Sequence, residues 1–208
     1  MIKSRTELKF FIMADMMMNR GKFKWTLKDR LKHLLLPDYV MQYLKSMRWA
    51  SYMTNNQPFT PPHLRLVGLY HQIRYRRLGV KLGFSIGSNA FGYGLVIPHY
   101  GTIVVGGSNR VGNYAVLHTS ICITNNGKEI GDALYVATGA KITSKVTIGD
   151  NVSVGANSVV NKSFDSNMMI AGTPATKIKD AVAWYIRDGE SYHKKVQLTE
   201  ELKRKLEL

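Results

Sequence analysis

The sequence has little cysteine, no long apolar run and few acidic residues. Its single cysteine, Cys122, excludes an internal disulfide framework and is typical of a reducing compartment. No run of about 18 apolar residues is present, so the pattern predicts no transmembrane helix. The short apolar run from Phe10 to Ala14 is interrupted by Asp15, and no signal-peptide cleavage site follows it. These absences predict a cytoplasmic protein without disulfide bonds.

The scarcity of acidic residues is greatest in the N-terminal third. Residues 1–78 contain 15 lysines and arginines against 4 acidic residues, a net charge of +11, whereas residues 79–176 and 177–208 each carry +2. Such a region can attract an anionic membrane, an acidic glycan or nucleic acid, and a merely solvated basic surface is an equal alternative. No nucleic-acid motif appears, so we expect no nucleic-acid partner. We do expect peripheral contact with a glycan or the inner membrane face.

Aliphatic residues recur every six positions in the second half of the chain. The longest run is Ile130, Val136, Ile142, Ile148, Val154 and Val160; Val105, Val111, Leu117 and Ile123 precede it, and the pairs Val80–Ile86 and Ile97–Ile103 repeat the spacing. A period of six fits neither an α-helix nor an alternating strand. It is typical of a triangular coil, in which three hexads of about 18 residues close one turn around an aliphatic core.

The segment before the repeats has helical patterns. Ser4 fits an N-cap, with Glu7 three residues later. Further helices are expected over residues 27–35, 39–53 and 64–78, with a loop over 55–63.

Shorter helices are expected after the repeats. One is predicted over residues 179–187, and Thr199 is predicted to cap the last. The sequence therefore predicts a mainly β fold in three parts. These are an α-helical N-terminal region (1–78), a left-handed parallel β-helix of hexapeptide repeats (79–176) and a helical C-terminal tail (177–208).

Two motifs lie in the repeat region. Residues 97–106 read IPHYGTIVVG, and residues 154–160 (VGANSVV) are followed by IAGTPA at 170–175. With these motifs the chain, from about Val80 to Lys179, resembles the hexapeptide-repeat acyltransferases and, among them, the serine O-acetyltransferase-like group. The resemblance implies a homotrimer that transfers an acetyl group from its co-substrate acetyl-CoA directly to a hydroxyl.

Carried over to this sequence, the general base of that family is His99. A hydroxyl needs a base within hydrogen-bond reach to attack a thioester near neutral pH, and histidine titrates in the right range. His118 follows 19 residues later and is expected on the neighbouring coil. It could orient His99, contact the acceptor or assist proton transfer; a turn histidine bonded to backbone is an equal alternative.

The resemblance also implies a donor site between neighbouring β-helices. Small residues would let the pantetheine arm approach the backbone, and lysines would bind the phosphates of CoA. The expected donor-site residues are Gly139, Ala140, Lys141, Gly155, Ala156, Lys162, Thr173 and Lys177. A backbone N–H near Gly101 or Gly139 is expected to stabilise the oxyanion formed during attack.

The acceptor is expected to be a sugar hydroxyl of a surface polysaccharide or its precursor. Serine-specific relatives carry aspartates where this chain has Phe84 and Pro98, and an Arg-His pair where it reads TNNGK at 124–128. A zwitterionic amino acid needs partners of both charges, whereas a sugar needs neutral polar groups and aromatic surface. The expected sugar-binding residues are Tyr93, Tyr100, Tyr114, Asn125 and Asn126.

Three other functions stay open at this point. Serine O-acetylation, the first step towards cysteine, is the main alternative within the enzyme class. A trimeric scaffold that binds an anionic surface is the non-catalytic alternative. A zinc hydratase would need three histidines, and the repeats offer His99 and His118 with Ile123 at the third position, so no metal is expected.

Overall fold

The computed structural model describes residues 2–56 and 61–208, which form six helices and thirteen strands. The helices are α1 (Arg5–Arg20), α2 (Leu27–Leu35), α3 (Tyr39–Asn56), α4 (Pro62–Leu82), α5 (Trp184–Arg187) and α6 (Glu190–Lys205). The strands are β1 (Phe84–Ile86), β2 (Ile103–Val105), β3 (Arg110–Val111), β4 (Val116–Leu117), β5 (Ile121–Ile123), β6 (Glu129–Ile130), β7 (Tyr135–Val136), β8 (Lys141–Ile142), β9 (Thr147–Ile148), β10 (Ser153–Val154), β11 (Val159–Val160), β12 (Met168–Gly172) and β13 (Ala175–Asp180).

The N-terminal helices follow local sequence signals. The Ser4 hydroxyl accepts from the N–H of Glu7, whose carboxylate accepts from the N–H of Ser4, so the predicted N-cap is confirmed. The helices predicted over 27–35, 39–53 and 64–78 are also confirmed as α2, α3 and α4. Of the predicted loop, residues 57–60 lie outside the described residues, and the remainder belongs largely to the ends of α3 and α4.

The assignment of Val80 to a hexad is wrong. Val80 lies in α4, which continues to Leu82, and its side chain is 88% exposed. Two aliphatic residues six apart cannot distinguish the end of a helix from the start of a repeat. The three-part division of the chain stays a prediction, with its boundaries falling inside α4 and β13.

The strands form the three sides of a solenoid. One sheet has the order β1-β2-β5-β8-β11, a second β3-β6-β9 and a third β13-β12-β10-β7-β4. Neighbouring coils pair in parallel: Ile103 lies beside Ile121, 18 residues later, and Cys122 beside Lys141, 19 residues later. About five coils stack in this way, which confirms the β-helix predicted from the hexads.

The core of the solenoid is the aliphatic ladder. All six residues of the longest run are buried: Ile130, Val136, Ile142, Ile148, Val154 and Val160. The single extra residue between Ile123 and Ile130 is taken up in the turn at 124–128, where the buried Lys128 ammonium donates to the carbonyl of Thr124 at 2.8 Å. The ladder therefore keeps its inward direction across the shift.

The C-terminal predictions were partly wrong. Residues 175–180 form β13, which pairs antiparallel with β12, so the helix predicted over 179–187 is reduced to α5. Thr199 does not cap a helix; it is buried within α6 and donates to the carbonyl of Lys195 at 2.8 Å. Hairpin pairing with the preceding strand β12 overrides the local helical pattern in the first case.

Candidate active site

Five turns of the solenoid stack along the edge where the third sheet passes to the first. They comprise residues 97–102, 118–120, 137–140, 155–158 and 173–174, and we call this column the histidine edge. Backbone bonds join the turns: Gly139 N–H donates to the Thr119 carbonyl at 3.0 Å, and Asn157 N–H donates to the Thr138 carbonyl at 2.9 Å. His99, His118 and most of the predicted donor-site residues lie in this column.

His99 is exposed in the first of these turns, together with Pro98 and Tyr100. The turn is fixed on its C-terminal side by α4, because the Gly101 N–H donates to the Leu82 carbonyl at 3.0 Å. Gly83 ends α4 with a φ of 78°, in the left-handed region, and lies against Gly101. The C-terminal end of α4 thus fixes the position of the turn that carries His99.

The N-terminal side of the same turn is fixed by α1. The Asn19 amide donates to the Leu95 carbonyl at 2.8 Å and accepts from the Ile97 N–H at 3.1 Å. Asp15 accepts from the Leu95 N–H at 3.0 Å. Sequence reasoning did not find these two residues, because nothing in the local pattern connects α1 with a segment almost 80 positions later.

A buried ion pair holds α1 and α3 on this first coil. The Arg48 guanidinium donates to both carboxylate oxygens of Asp15, at 2.8 and 3.0 Å, and also to the carbonyls of Phe91 and Gly92. Both side chains are 1% exposed. Burial raises the pKa of Asp15, and the neighbouring Arg48 opposes that rise. The pair anchors the helices to the coil that carries His99.

His118 lies near His99, as predicted for neighbouring coils. Burial lowers the pKa of His118, the charge of His99 lowers it further, and Asp188 raises it. Its ring centroid is 5.1 Å from that of Tyr135, and its backbone N–H donates to the Val136 carbonyl at 3.1 Å. Burial and the neighbouring His99 therefore both disfavour the charged form of the second histidine.

An ion pair from α5 borders the same region. Arg187 donates to both carboxylate oxygens of Asp188, lies 4.7 Å from the Tyr135 ring and donates to the Ser153 hydroxyl at 3.0 Å. The carboxylate is close enough to His118 to affect its pKa. No motif indicates this pair, because its bond to Ser153 joins residues 34 positions apart.

The predicted donor-site residues fall into two groups. Gly139, Ala140, Gly155, Ala156 and Thr173 lie in the histidine edge. Gly139 has a φ of +79°, and a Cβ there would meet the Asn157 side-chain oxygen at 1.9 Å, so this turn requires glycine. The Lys141 ammonium is already bonded to the carbonyls of Ser120 and Gly139 at 2.7 and 2.8 Å.

Lys162 and Lys177 lie apart from these turns. Both line a cavity of about 410 Å³ near the end of the solenoid, together with Phe164 and Asp165. The Lys177 ammonium pairs with Asp180 at 2.6 Å, and Lys162 lies over the Phe164 ring. Two of the three predicted phosphate-binding lysines thus line the same cavity.

The predicted acceptor residues are spread over all three edges. Tyr100, which is 75% exposed, shares the turn of His99. Asn125 and Asn126 lie on the next edge, between β5 and β6. Tyr93 and Tyr114 are buried on the third edge, and both hydroxyls donate to Glu200 of α6. Only Tyr100 of this set is brought together with His99.

The predicted oxyanion donors are engaged elsewhere. The N–H of Gly101 donates to the Leu82 carbonyl and that of Gly139 to the Thr119 carbonyl. Both bonds belong to the packing of the turns, so neither N–H points to an open acceptor position. An oxyanion donor near Gly101 or Gly139 stays a prediction, and it would have to be another amide of these turns.

Across residues 2–56 and 61–208, no three His, Cys, Asp or Glu side chains are grouped to hold a metal ion. In the same part of the chain, every helix is too short or too polar to cross a bilayer.

Comparison with known proteins supports the resemblance given by the motifs. A serine acetyltransferase from Staphylococcus xylosus is 35% identical over 123 residues, which is 55% of this chain and 55% of that protein. One from Synechococcus elongatus is 31% identical over 94 residues, or 42% of this chain and 38% of its own length. The chain thus spans about half the length of the curated relatives it matches, and no family model matches it.

Solved structures extend the likeness to the fold. A serine acetyltransferase in complex with CoA has a TM-score of 0.61 at 21% identity, over 84% of this chain and 71% of that one. The enzyme from Neisseria gonorrhoeae has a TM-score of 0.60 at 20% identity, over 86% and 68%. The chain is therefore a hexapeptide-repeat β-helix protein, similar in sequence and in fold to the serine acetyltransferases.

Proposed function

We propose that this chain is an acetyl-CoA-dependent O-acetyltransferase in which His99 is the general base. The observation that carries the proposal is the placement of His99. Its imidazole is exposed in a turn fixed on both sides, by Asn19 and by the end of α4, on the edge that also holds His118 and the small-residue turns. A fixed base next to an open edge is what direct transfer to a hydroxyl requires.

The chemistry needs little beyond this base. When bound, acetyl-CoA would supply an activated acyl carbon as a thioester. The imidazole of His99 takes the proton of the acceptor hydroxyl while the hydroxyl oxygen bonds to the acyl carbon. The carbon–sulfur bond of the thioester then breaks, and the imidazolium returns the proton to the departing thiolate sulfur. His118 is a positioning residue, since burial disfavours its charged form and an uncharged ring can accept or donate a hydrogen bond beside His99.

L-Serine is the acceptor that we favour. The relatives found by comparison are serine acetyltransferases, and they support serine over the sugar expected from the sequence alone. Arg187 and Asp188 offer the cation and the anion that a zwitterionic amino acid needs, near His118. They could replace the charged residues that this chain lacks at Phe84, Pro98 and the turn at 124–128.

A saccharide hydroxyl is the second candidate. Phe84 is buried in the core and so offers no anion to an ammonium group. Tyr100 presents an exposed aromatic ring beside His99, which suits a sugar face. A polysaccharide precursor therefore remains the alternative acceptor.

We further propose that the chain acts as a homotrimer with CoA bound between neighbouring β-helices. The small-residue turns at Gly139 and Gly155 would allow close approach of the pantetheine arm. Lys162 and Lys177 would contribute positive charge for the phosphates from their shared cavity.

Thiol release from acetyl-CoA tests the proposal. L-serine, hexoses, amino sugars and lipid-linked glycans are compared as acceptors. We expect turnover with serine, and a loss of at least about 100-fold in kcat for His99→Ala, the size of a missing general base. His63→Ala, an exposed histidine on α4, is the matched control.

The acceptor is tested by Asp188→Asn. This variant should raise the KM for serine and leave the KM for acetyl-CoA unchanged, because it removes the anion for the ammonium group. Turnover with a glycan but not with serine would make the saccharide the acceptor. Full activity of His99→Ala would refute the proposed base.

A further inference from the structure

We infer that the N-terminal helices dock on an anionic lipid bilayer. The docking surface consists of α2, the outer side of α4 and the cleft between them, and we call it the basic helical face. The inference concerns a surface remote from the chemistry of His99 and holds whether or not the proposed function is correct.

Helix α2 has no buried residue along its nine positions. Its leucines share one side, at spacings of three and four, and are between 60% and 86% exposed: Leu27, Leu31, Leu34 and Leu35. Each leucine left in water forgoes the favourable free energy of burying its side chain. Lys28 and Lys32 are exposed beside this stripe. A short helix with an apolar stripe and cationic flanks is typical of helices that lie in the membrane interface.

Helix α4 extends the apolar surface. Its exposed apolar residues are Leu66, Val67, Leu69, Tyr70 and Ile73. Leu34 of α2 and Tyr70 of α4 line the same cleft, whose volume is about 1040 Å³, so the two helices border one continuous surface. Several exposed apolar residues on two helices that border one cleft indicate an interaction site.

The cleft is rimmed by positive charge. Its cationic lining residues are Arg5, Lys9, Lys24, Arg30, Lys45 and Arg74. The single carboxylate of the lining, Asp38, is already paired with Arg20. The face therefore combines apolar side chains with an excess of cations, over a region whose net charge is +11.

An anionic bilayer satisfies both properties at once. The leucines insert among the acyl chains, and the lysines and arginines pair with lipid phosphates. An acidic glycan or nucleic acid would leave the leucines in water. Two copies that met through this same face would place like charges opposite each other, which is unfavourable.

Vesicle co-sedimentation of the full chain tests the inference. We expect binding to vesicles of phosphatidylglycerol mixed with phosphatidylcholine, weaker binding at high salt, and little binding to phosphatidylcholine alone. The double variant Leu31→Gln with Leu35→Gln should weaken binding at least about tenfold, since both side chains leave the acyl region.

Matched variants separate the apolar from the charged contribution. Lys28→Gln with Lys32→Gln should reduce binding and its salt dependence together. Val182→Gln with Leu198→Gln, two exposed apolar residues outside the face, should bind as the wild type does. Thiol release measured without vesicles should be unchanged in all three double variants, which distinguishes failure of docking from failure of the proposed function.

Three outcomes would overturn the inference. Equal binding to neutral and anionic vesicles would remove the role of charge. Unchanged binding of the leucine variant would remove the role of α2. A wild-type assembly in solution that dissociates in the leucine variant would assign the face to contacts between copies of the chain.

Discussion

At the scale of single residues, two histidines of this chain differ in how far they are exposed to solvent. His99 is exposed in its turn, whereas His71 is 9% exposed between α3 and α4. The His71 ring stacks on Trp49 at 5.2 Å and makes a 3.2 Å hydrogen bond with the Ser46 hydroxyl. One imidazole is available for proton transfer, and the other is part of the helical core.

The buried His71 predicts that stability falls in acid. Burial, together with the charges of Lys45 and Arg74, lowers its pKa to about 4. Between the unfolded value of 6.5 and this value the unfolded chain binds more protons, so the free energy of unfolding decreases as pH falls through that window. We expect the titration of this residue to lower the free energy of unfolding by about 2 kcal/mol between pH ~7.5 and pH ~5.

Denaturant unfolding at the two pH values measures this loss. His71→Gln keeps a polar group for Ser46 but does not titrate, so its pH dependence should be smaller by most of that amount. His63→Gln, an exposed histidine, should behave as the wild type does. An equal pH dependence in all three proteins would contradict the assignment.

At the scale of elements, α1 has two functions. Its apolar residues, including Phe10 and Met16, pack in the core, while Asp15 and Asn19 bond to the backbone of the first coil. Asn19 reaches Ile97, two residues before His99. The helix therefore holds the turn that carries His99, the proposed base.

We predict that Asn19→Ala lowers kcat about tenfold, because a small displacement of a reacting group is costly. The KM for acetyl-CoA should change little. Asn19→Asp, which can still accept from the Ile97 N–H, should recover part of the loss. Thr6→Ala, at an exposed position of α1, is the control. A fall in stability with kcat unchanged would reduce Asn19 to a structural role.

Local signals explain what could be predicted at this scale. The hexads specify the ladder because each strand and turn lies within six residues, and the Ser4–Glu7 box lies within one helical turn. The ion pair of Asp15 with Arg48 joins residues 33 apart, and the bond from Tyr93 to Glu200 joins residues 107 apart. Such contacts depend on how finished elements pack, so no spacing in the sequence indicates them.

The same reasoning explains which predicted site residues lie together in the structure and which do not. His99 and His118 could be found because about one coil separates them and the motif marks the first. Tyr93 and Tyr114 were expected at the acceptor because aromatic rings suit sugars. They are instead covered by α6, whose docking place on the solenoid has no local signature.

At the scale of the whole molecule, α6 connects the two ends of the chain. Its Lys195 ammonium donates to the Met18 carbonyl of α1 at 3.4 Å, and its Glu200 accepts from Tyr93 and Tyr114 of the first two coils. The C-terminal helix thus lies on both the helical region and the solenoid. The stability of the helical region should therefore depend on the last residues of the chain.

Adjacent glutamates on α6 allow a matched test. Glu200→Ala leaves two buried tyrosine hydroxyls without their acceptor, which costs about 1–3 kcal/mol for each group left unsatisfied. Glu201 is exposed, so Glu201→Ala should stay within about 0.5 kcal/mol of the wild type. Denaturant unfolding with tyrosine and tryptophan fluorescence measures both.

The tyrosines themselves provide a second readout of that contact. Burial raises the pKa of Tyr93 and of Tyr114, and the Glu200 carboxylate raises both further. In Glu200→Ala the carboxylate is gone, so phenolate absorbance should appear at lower pH than in the wild type. If Glu200→Ala and Glu201→Ala had the same stability and the same alkaline titration, α6 would not hold the two coils in solution. In that case the C-terminal helix would pack elsewhere, and the helical region would rest on the solenoid through the Asp15–Arg48 pair and the residues around it.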